Sequence, residues 1–287
     1  MSGVVADAPL IVAANRDERL DRPAVPMTVL RERLPRILGG RDQLAGGTWL
    51  AVNERGVVAG LTNQPSANGR DPSKRSRGEL PIAFAGYRSA TEAVDALAVH
   101  LDPAAYNPCW LLVGDRDTLY FVGISGRPGK AEIEQLGQGL YVLENAPLRP
   151  VSGKAAMVTT LVADATADLH DSGPAVVAAV ERILGGHERA VSEPLTDATG
   201  RVRRPALSAP CVHADGYGTR SAMTVCVPAI GPELPGSPGL ATAGSVQARP
   251  WSGGLPLVHV ADGRPCEAGF SDVTTLWAGN ATASAAS

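Results

Sequence analysis

Strand-length apolar runs come in clusters along this chain instead of alternating one by one with helical stretches, and that order limits the folds open to it. Val4 to Asn15 reads as one or two short strands broken at Asp7-Ala8-Pro9. Thr48 to Asn53 and Val57 to Asn63 are joined by Glu54-Arg55-Gly56, the spacing of a hairpin with glycine in its turn. Ser76-Arg77-Gly78-Glu79 has capping-box spacing ahead of apolar Leu80 to Phe84. Thr91 to Leu101 carries Ala93, Val94, Leu97, Ala98 and Leu101 at helical spacing. Strands are expected again at Trp110 to Gly114, Thr118 to Ile124, Ala131 to Leu136 and Leu140 to Asn145. Helices follow at Lys154 to Ala165 and Pro174 to Leu184, the second stopped by Gly185-Gly186, with closing strands at Thr219 to Val227 and Leu255 to Val260. This order is not strict βαβ alternation; it suits an α+β fold of two stacked, mainly antiparallel sheets with helices outside.

No internal repeat or linker divides the 287 residues, so residues 1–279 are expected to form a single domain. Residues 228–254, rich in Pro and Gly, read as a flexible loop, and residues 280–287 as a disordered tail. A net charge of −3 and the lack of a basic, aromatic-bearing patch argue against nucleic acid as a partner. No apolar stretch approaches the roughly 20 residues of a membrane span. No signal peptide is evident either, so a cytoplasmic protein is expected. Arginine outnumbers lysine and Ala, Gly and Pro abound, the composition of a GC-rich bacterial genome. Cys109, Cys211, Cys226 and Cys266 are scattered and are expected as buried free thiols. Cys211-Val212-His213 has no second ligand pair at zinc spacing, so neither a metal site nor a cofactor is expected.

The most informative stretch is Asn15-Arg16-Asp17-Glu18, where an apolar run hands off directly to four polar residues. A strand ending there delivers a guanidinium and two carboxylates to one sheet edge; on its own, the stretch reads first as a polar turn after an edge strand. Further on, residues 39–63 read GGRDQLAGGTWLAVNERGVVAGLTN, residues 76–80 SRGEL, residues 141–147 YVLENAP and residues 217–221 YGTRS. In this order and spacing, the set resembles the NRDE family from about residue 10 to about residue 270. The resemblance implies a four-layer α-β-β-α sandwich of the N-terminal-nucleophile (Ntn) hydrolase-like kind.

It also implies a chemistry. In an Ntn enzyme the first residue supplies both the attacking group and, through its α-amine, the base; such an amine titrates at about 7.7–8.0. Donors to the developing oxyanion are each worth about 10²–10³ in rate. Residues 53–63 and 143–147 further resemble the choloylglycine and penicillin-acylase branch, where an Asn ends each of two strands near the reacting carbonyl; the matching positions are Asn63 and Asn145. The Arg and Asp beside the nucleophile match Arg16 and Asp17, and a late-strand Arg matches Arg220. Asn15, Glu18, Trp49 and Tyr217 are candidate ligand-binding residues in the same motifs. Read without the resemblance, Asn63 and Asn145 are strand-end turn caps, Arg220 is a salt-bridging residue, and Trp49 is core.

The chain departs from the family at its start. Members begin Met-Cys, whereas this sequence begins Met1-Ser2-Gly3. Ser2 is the candidate nucleophile if Met1 is removed; alternatively a true Met-Cys lies upstream, or the fold persists without the chemistry. Two functions follow: amide or acyl hydrolysis of a small non-peptide substrate, or non-catalytic binding of a hydrophobic anionic ligand. The haem and acyl-CoA associations of the family's animal branch favour the second by resemblance.

Overall fold

A computed structural model describes residues 1–67, 69–190, 205–229 and 254–278. Two antiparallel sheets lie face to face. One contains β1 (Leu10–Arg19), β10 (Tyr217–Val227), β11 (Leu257–Ala261) and β12 (Ser271–Asp272) in that order, with short β9 (His213–Ala214) also on β10. The other runs in sequence order through β2 (Ala24–Arg31), β3 (Ile37–Asp42), β4 (Leu50–Asn53), β5 (Val58–Asn63), β6 (Cys109–Gly114), β7 (Leu119–Ile124) and β8 (Glu132–Leu136).

Side-chain alternation makes the layers. Leu10, Leu38, Leu50 and Val58 meet Met223, Val225 and Val260 between the sheets. On the far side of the larger sheet, Leu111, Val113 and Val122 pack under α1 (Glu79–Phe84) and α2 (Ala90–His100). On the far side of the smaller one, Ile11 and Cys226 pack under α3 (Gly153–Thr166) and α4 (Gly173–Leu184). Each fully buried Val, Leu or Ile contributes roughly 1.5–3 kcal/mol, so three separate apolar layers fix the order helix, sheet, sheet, helix. This is the four-layer arrangement that the resemblance implied.

Several expectations need correction. β1 does not end at Asn15: it runs on through Arg19, so residues 16–18 lie within the strand as well. Ser76 caps nothing with its side chain, because α1 starts from Gly78 and Glu79 pairs with Arg75. Leu140 to Asn145 is not a strand; Tyr141 and Leu143 instead cover Trp110 and Phe121, on the face of β6 and β7 away from α1 and α2. β2 and β3 were not anticipated; β2 carries Pro26, which an edge strand tolerates because one side of it needs no ladder bond. Of the four thiols, Cys266 is exposed. Most of the expected 228–254 loop and the 280–287 tail lie outside the described residues.

Candidate functional site

β1 is the edge strand of its sheet, and a cleft of about 1370 Å³ wraps around it. The cleft takes in Val12, Arg16 and Trp49 from between the sheets, Asn63 and Asn145 at its rim, and Val158 of α3. Beyond Ile11, no strand among the described residues pairs with the outer edge of β1.

The strand period of two sends the residues of the motif to different sides. Asn15 faces the helices, its amide donating to Leu184 O and Pro210 O, both at 2.9 Å, which ties the end of α4 to the 205–210 segment. Arg16 faces the other sheet, 7% exposed, with Nη2 donating to Asp42 Oδ2 at 3.2 Å and Cζ 4.6 Å from the Trp49 ring centroid. Burial pushes its pKa down, while Glu18 and Asp42 push it back up. Asp17 accepts the Thr219 hydroxyl at 2.6 Å, and Tyr217 donates its hydroxyl to the Asp17 carbonyl at 3.1 Å. Burial raises the Asp17 pKa, opposed by Lys154 and the Thr219 bond. Burial, with Asp17 and Glu18 nearby, also raises the Tyr217 phenol, keeping it a neutral donor. Glu18 lies 3.6 Å from Arg22.

Asp42 organises this wall. It accepts Arg22 Nε at 2.7 Å as well as Arg16, and its other oxygen accepts the N–H groups of Leu44 and Ala45. The sequence reading passed over it although it stands in the quoted GGRD run; a guanidinium as buried as that of Arg16 calls for a carboxylate partner. Two close approaches set the shape around it. A Cβ on Gly40 would lie 2.1 Å from the Trp49 ring, so the ring lies directly on that backbone. A Cβ on Gly47 would lie 2.5 Å from the Gly78 carbonyl carbon, and Thr48 N–H donates to Gly78 O at 2.9 Å.

The two asparagines are joined: Asn63 N–H donates to Asn145 Oδ1 at 2.9 Å, and both are exposed at the rim. Asn63 stands two residues past Leu61, whose N–H bonds to Trp49 O, so this pair is on the Trp49 side of the cleft. Arg220 is directed elsewhere. The β1–β10 register shifts between Arg16 and Asp17, Arg220 being the extra residue on β10. The bulge aims it at the carbonyls of Arg19 and Arg22, at 3.2 and 2.6 Å. It pins the turn between β1 and β2, which is neither the salt bridge nor the anion contact expected. Ser2 is also apart: it forms bridges with Gly139 and Leu10. At about 3.4 Å per strand residue, Leu10 and Arg16 are about 20 Å apart. Three buried polar atoms, Arg16 Nη1, Asn15 Oδ1 and Thr62 Oγ1, have no hydrogen-bond partner among the described residues, and all three residues line the cleft.

Comparison with known proteins adds the family. The family model for Transport and Golgi organisation 2 matches residues 4–231. The Transport and Golgi organization protein 2 homolog of Bos taurus is 33% identical over 241 residues, 77% of this chain and 83% of the relative. The Homo sapiens homolog is 32% identical over 239 residues with the same coverage. Among solved structures, penicillin V acylase from Agrobacterium tumefaciens aligns over 75% of each chain at 15% identity, with a TM-score of 0.45. An N-acylethanolamine-hydrolyzing acid amidase ortholog from Caenorhabditis elegans aligns over 75% of this chain and 90% of its own at 12% identity, with a TM-score of 0.43. No helix among the described residues is long and apolar enough to cross a membrane.

Proposed function

We propose that this chain, which belongs to the Transport and Golgi organisation 2 family, holds a small amphipathic organic anion in the cleft around β1. One observation carries the reading: Arg16 Nη1 is buried and unpartnered, on a guanidinium already oriented by Asp42 and stacked on Trp49. A buried donor left unmade costs about 1–3 kcal/mol, which a bound carboxylate or phosphate recovers. The ligand's apolar body lies against Val12 and Ala14, on the Arg16 face of β1. Haemin and palmitoyl-CoA are suitable probes, since both join acidic groups to a large apolar surface. Titration by tryptophan fluorescence is expected to give saturable binding, and Arg16→Ala to weaken it about 10–100-fold, the equivalent of one charge-assisted hydrogen bond. Equal affinity in the variant would reject this reading.

The second reading, hydrolysis of an acylated amine, draws support from the open edge of β1. Met1 and Ile11 already exchange antiparallel backbone bonds on that edge, at 2.8 and 2.9 Å. A strand continuing along it toward Arg19 would run beside Arg16, where a terminal nucleophile meets Asn63 and Asn145. Turnover of acylated amines by a form extended to begin Met-Cys, and not by the chain with Ser2 foremost, favours this chemistry. Turnover with Ser2 foremost that is abolished in Ser2→Ala would instead assign Ser2 as the nucleophile.

A further inference from the structure

Three segments distant in sequence bring two thiols and two imidazoles together beyond the end of α4. Cys211 and His213 flank buried Val212, whose N–H donates to Thr219 Oγ1 at 2.8 Å, and their side chains meet on one side of it. Cys266 comes from the turn after β11, held by bonds from Glu267 N and Ala268 N to Arg264 O. His187 follows α4; its Nδ1 lies 3.4 Å from Cys211 O, and its ring meets the ring of His213 edge-on with centroids 4.9 Å apart. The Cys211 N–H donates to Gly186 O at 2.9 Å, fixing the β9 approach to the helix end.

The donor atoms form a small triangle. Cys211 Sγ lies 3.6 Å from Cys266 Sγ and 3.6 Å from His213 Nε2, and His213 Nε2 lies 3.2 Å from Cys266 Sγ. Metal–sulfur bonds of about 2.3 Å and metal–nitrogen bonds of about 2.0–2.1 Å at a tetrahedral angle require separations of about 3.8 Å for S–S and about 3.5 Å for S–N. The observed triangle is within a few tenths of an ångström of that requirement. The ligand atoms of His187, Cys211 and His213 also lie within 4.8 Å of one another.

We propose that Cys211, His213 and Cys266, with His187 as the fourth ligand, bind one zinc ion. The ion replaces the two thiol protons, which pass to solvent, and no oxidation state changes. Two sulfurs and two nitrogens in tetrahedral array suit a soft d¹⁰ cation and not magnesium or calcium. A disulfide would use only the two sulfurs; the imidazole at comparable distance from both is what points to a metal. Such a site clamps the turn after β11 to β9 and the end of α4. It is independent of the ligand proposed for the cleft.

The test uses the whole chain, reduced with a non-thiol reductant, with zinc titrated against a chromophoric chelator. The expected result is one tightly held equivalent, with Cys266→Ser lowering the affinity about 100-fold or more and His187→Ala about tenfold. Cys266 and His213 are exposed, so Cys266→Ser is expected to leave the circular dichroism unchanged. Cobalt in place of zinc is expected to give thiolate-to-metal charge-transfer absorption whose intensity per bound cobalt falls by about half in Cys266→Ser, one thiolate remaining. The proposal is overturned if the chain holds no zinc, or if Cys266→Ser binds it as the parent does. It is equally overturned if protein oxidised in air with zinc present loses two hydrogens through a Cys211–Cys266 bond.

Discussion

The guanidinium of Arg16 lies over the ring of Trp49, with Cζ 4.6 Å from the centroid, while Asp42 holds it from the side at 3.2 Å. One charge thus has its plane set by a ring and its rotation set by a carboxylate, which leaves one donor nitrogen for a ligand.

Replacing Asp42 by Ala is expected to destabilise the fold by about 3–5 kcal/mol, because Arg16 is left buried without its counter-charge. Arg22→Ala, which removes the more exposed partner, is expected to cost about 1 kcal/mol. Urea denaturation of the two variants measures the difference; equal midpoints would mean that Asp42 holds Arg16 no more firmly than a surface pair.

Gly40→Ala puts a methyl group into the Trp49 ring. Overpacking of this kind costs about 1–3 kcal/mol, and the ring is expected to leave Arg16. Loss of tryptophan near-ultraviolet dichroism together with about tenfold weaker ligand binding is the expected outcome. Unaltered dichroism would show that the ring has room to spare.

Asn53 is fully buried and makes four bonds, donating to Ala85 O and Tyr87 O and accepting from Arg55 N and Val57 N. Asn53→Ala strands several buried groups and is expected to cost about 3 kcal/mol or more. Asn145→Ala removes one bond at an exposed rim and is expected to cost less than about 1 kcal/mol of stability. Any larger effect of Asn145→Ala on binding or turnover is therefore a functional one.

The hairpin of β4 and β5 was legible because its apolar runs are bounded by a glycine-bearing turn, α2 because its apolar residues recur at helical spacing, and α4 because Gly185-Gly186 stops its helical pattern. β2 was not, since Pro26 interrupts its run and its residues are evenly half-buried, with no apolar–polar alternation to mark a strand. Tyr141 and Leu143 misled in the opposite sense: apolar residues that cover a sheet look like residues that belong to one. For the site, the motif at 15–18 stood out as a cluster, but not that Arg16 and Asn15 face opposite layers, which needs the strand to run through them. The partnership of Arg16 with Asp42 spans 26 residues, and the approach of Cys266 to Cys211 spans 55. Neither leaves a local trace.

His259 Nδ1 bonds to Glu181 Oε1 at 2.8 Å, and Thr224 donates to the same oxygen at 2.9 Å, joining α4 to β10 and β11. The Glu181 bond raises the His259 pKa against the opposing effect of burial. With the folded value above the unfolded value of about 6.5, this contribution is complete below about pH 6.5 and fades as pH rises through the folded value. Melting temperatures across that range are expected to fall more steeply with pH for the parent than for His259→Gln. Parallel curves would remove the ion pair from the account.

The contact of Gly47 with Gly78 makes one side of the cleft mouth a junction of two main chains. An aperture gauged by backbone is less sensitive to what its borders carry: the exposed charge of Arg75, paired with Glu79, can be exchanged while the two main chains stay in contact. For any guest in the cleft, charge and size are thereby met by different atoms.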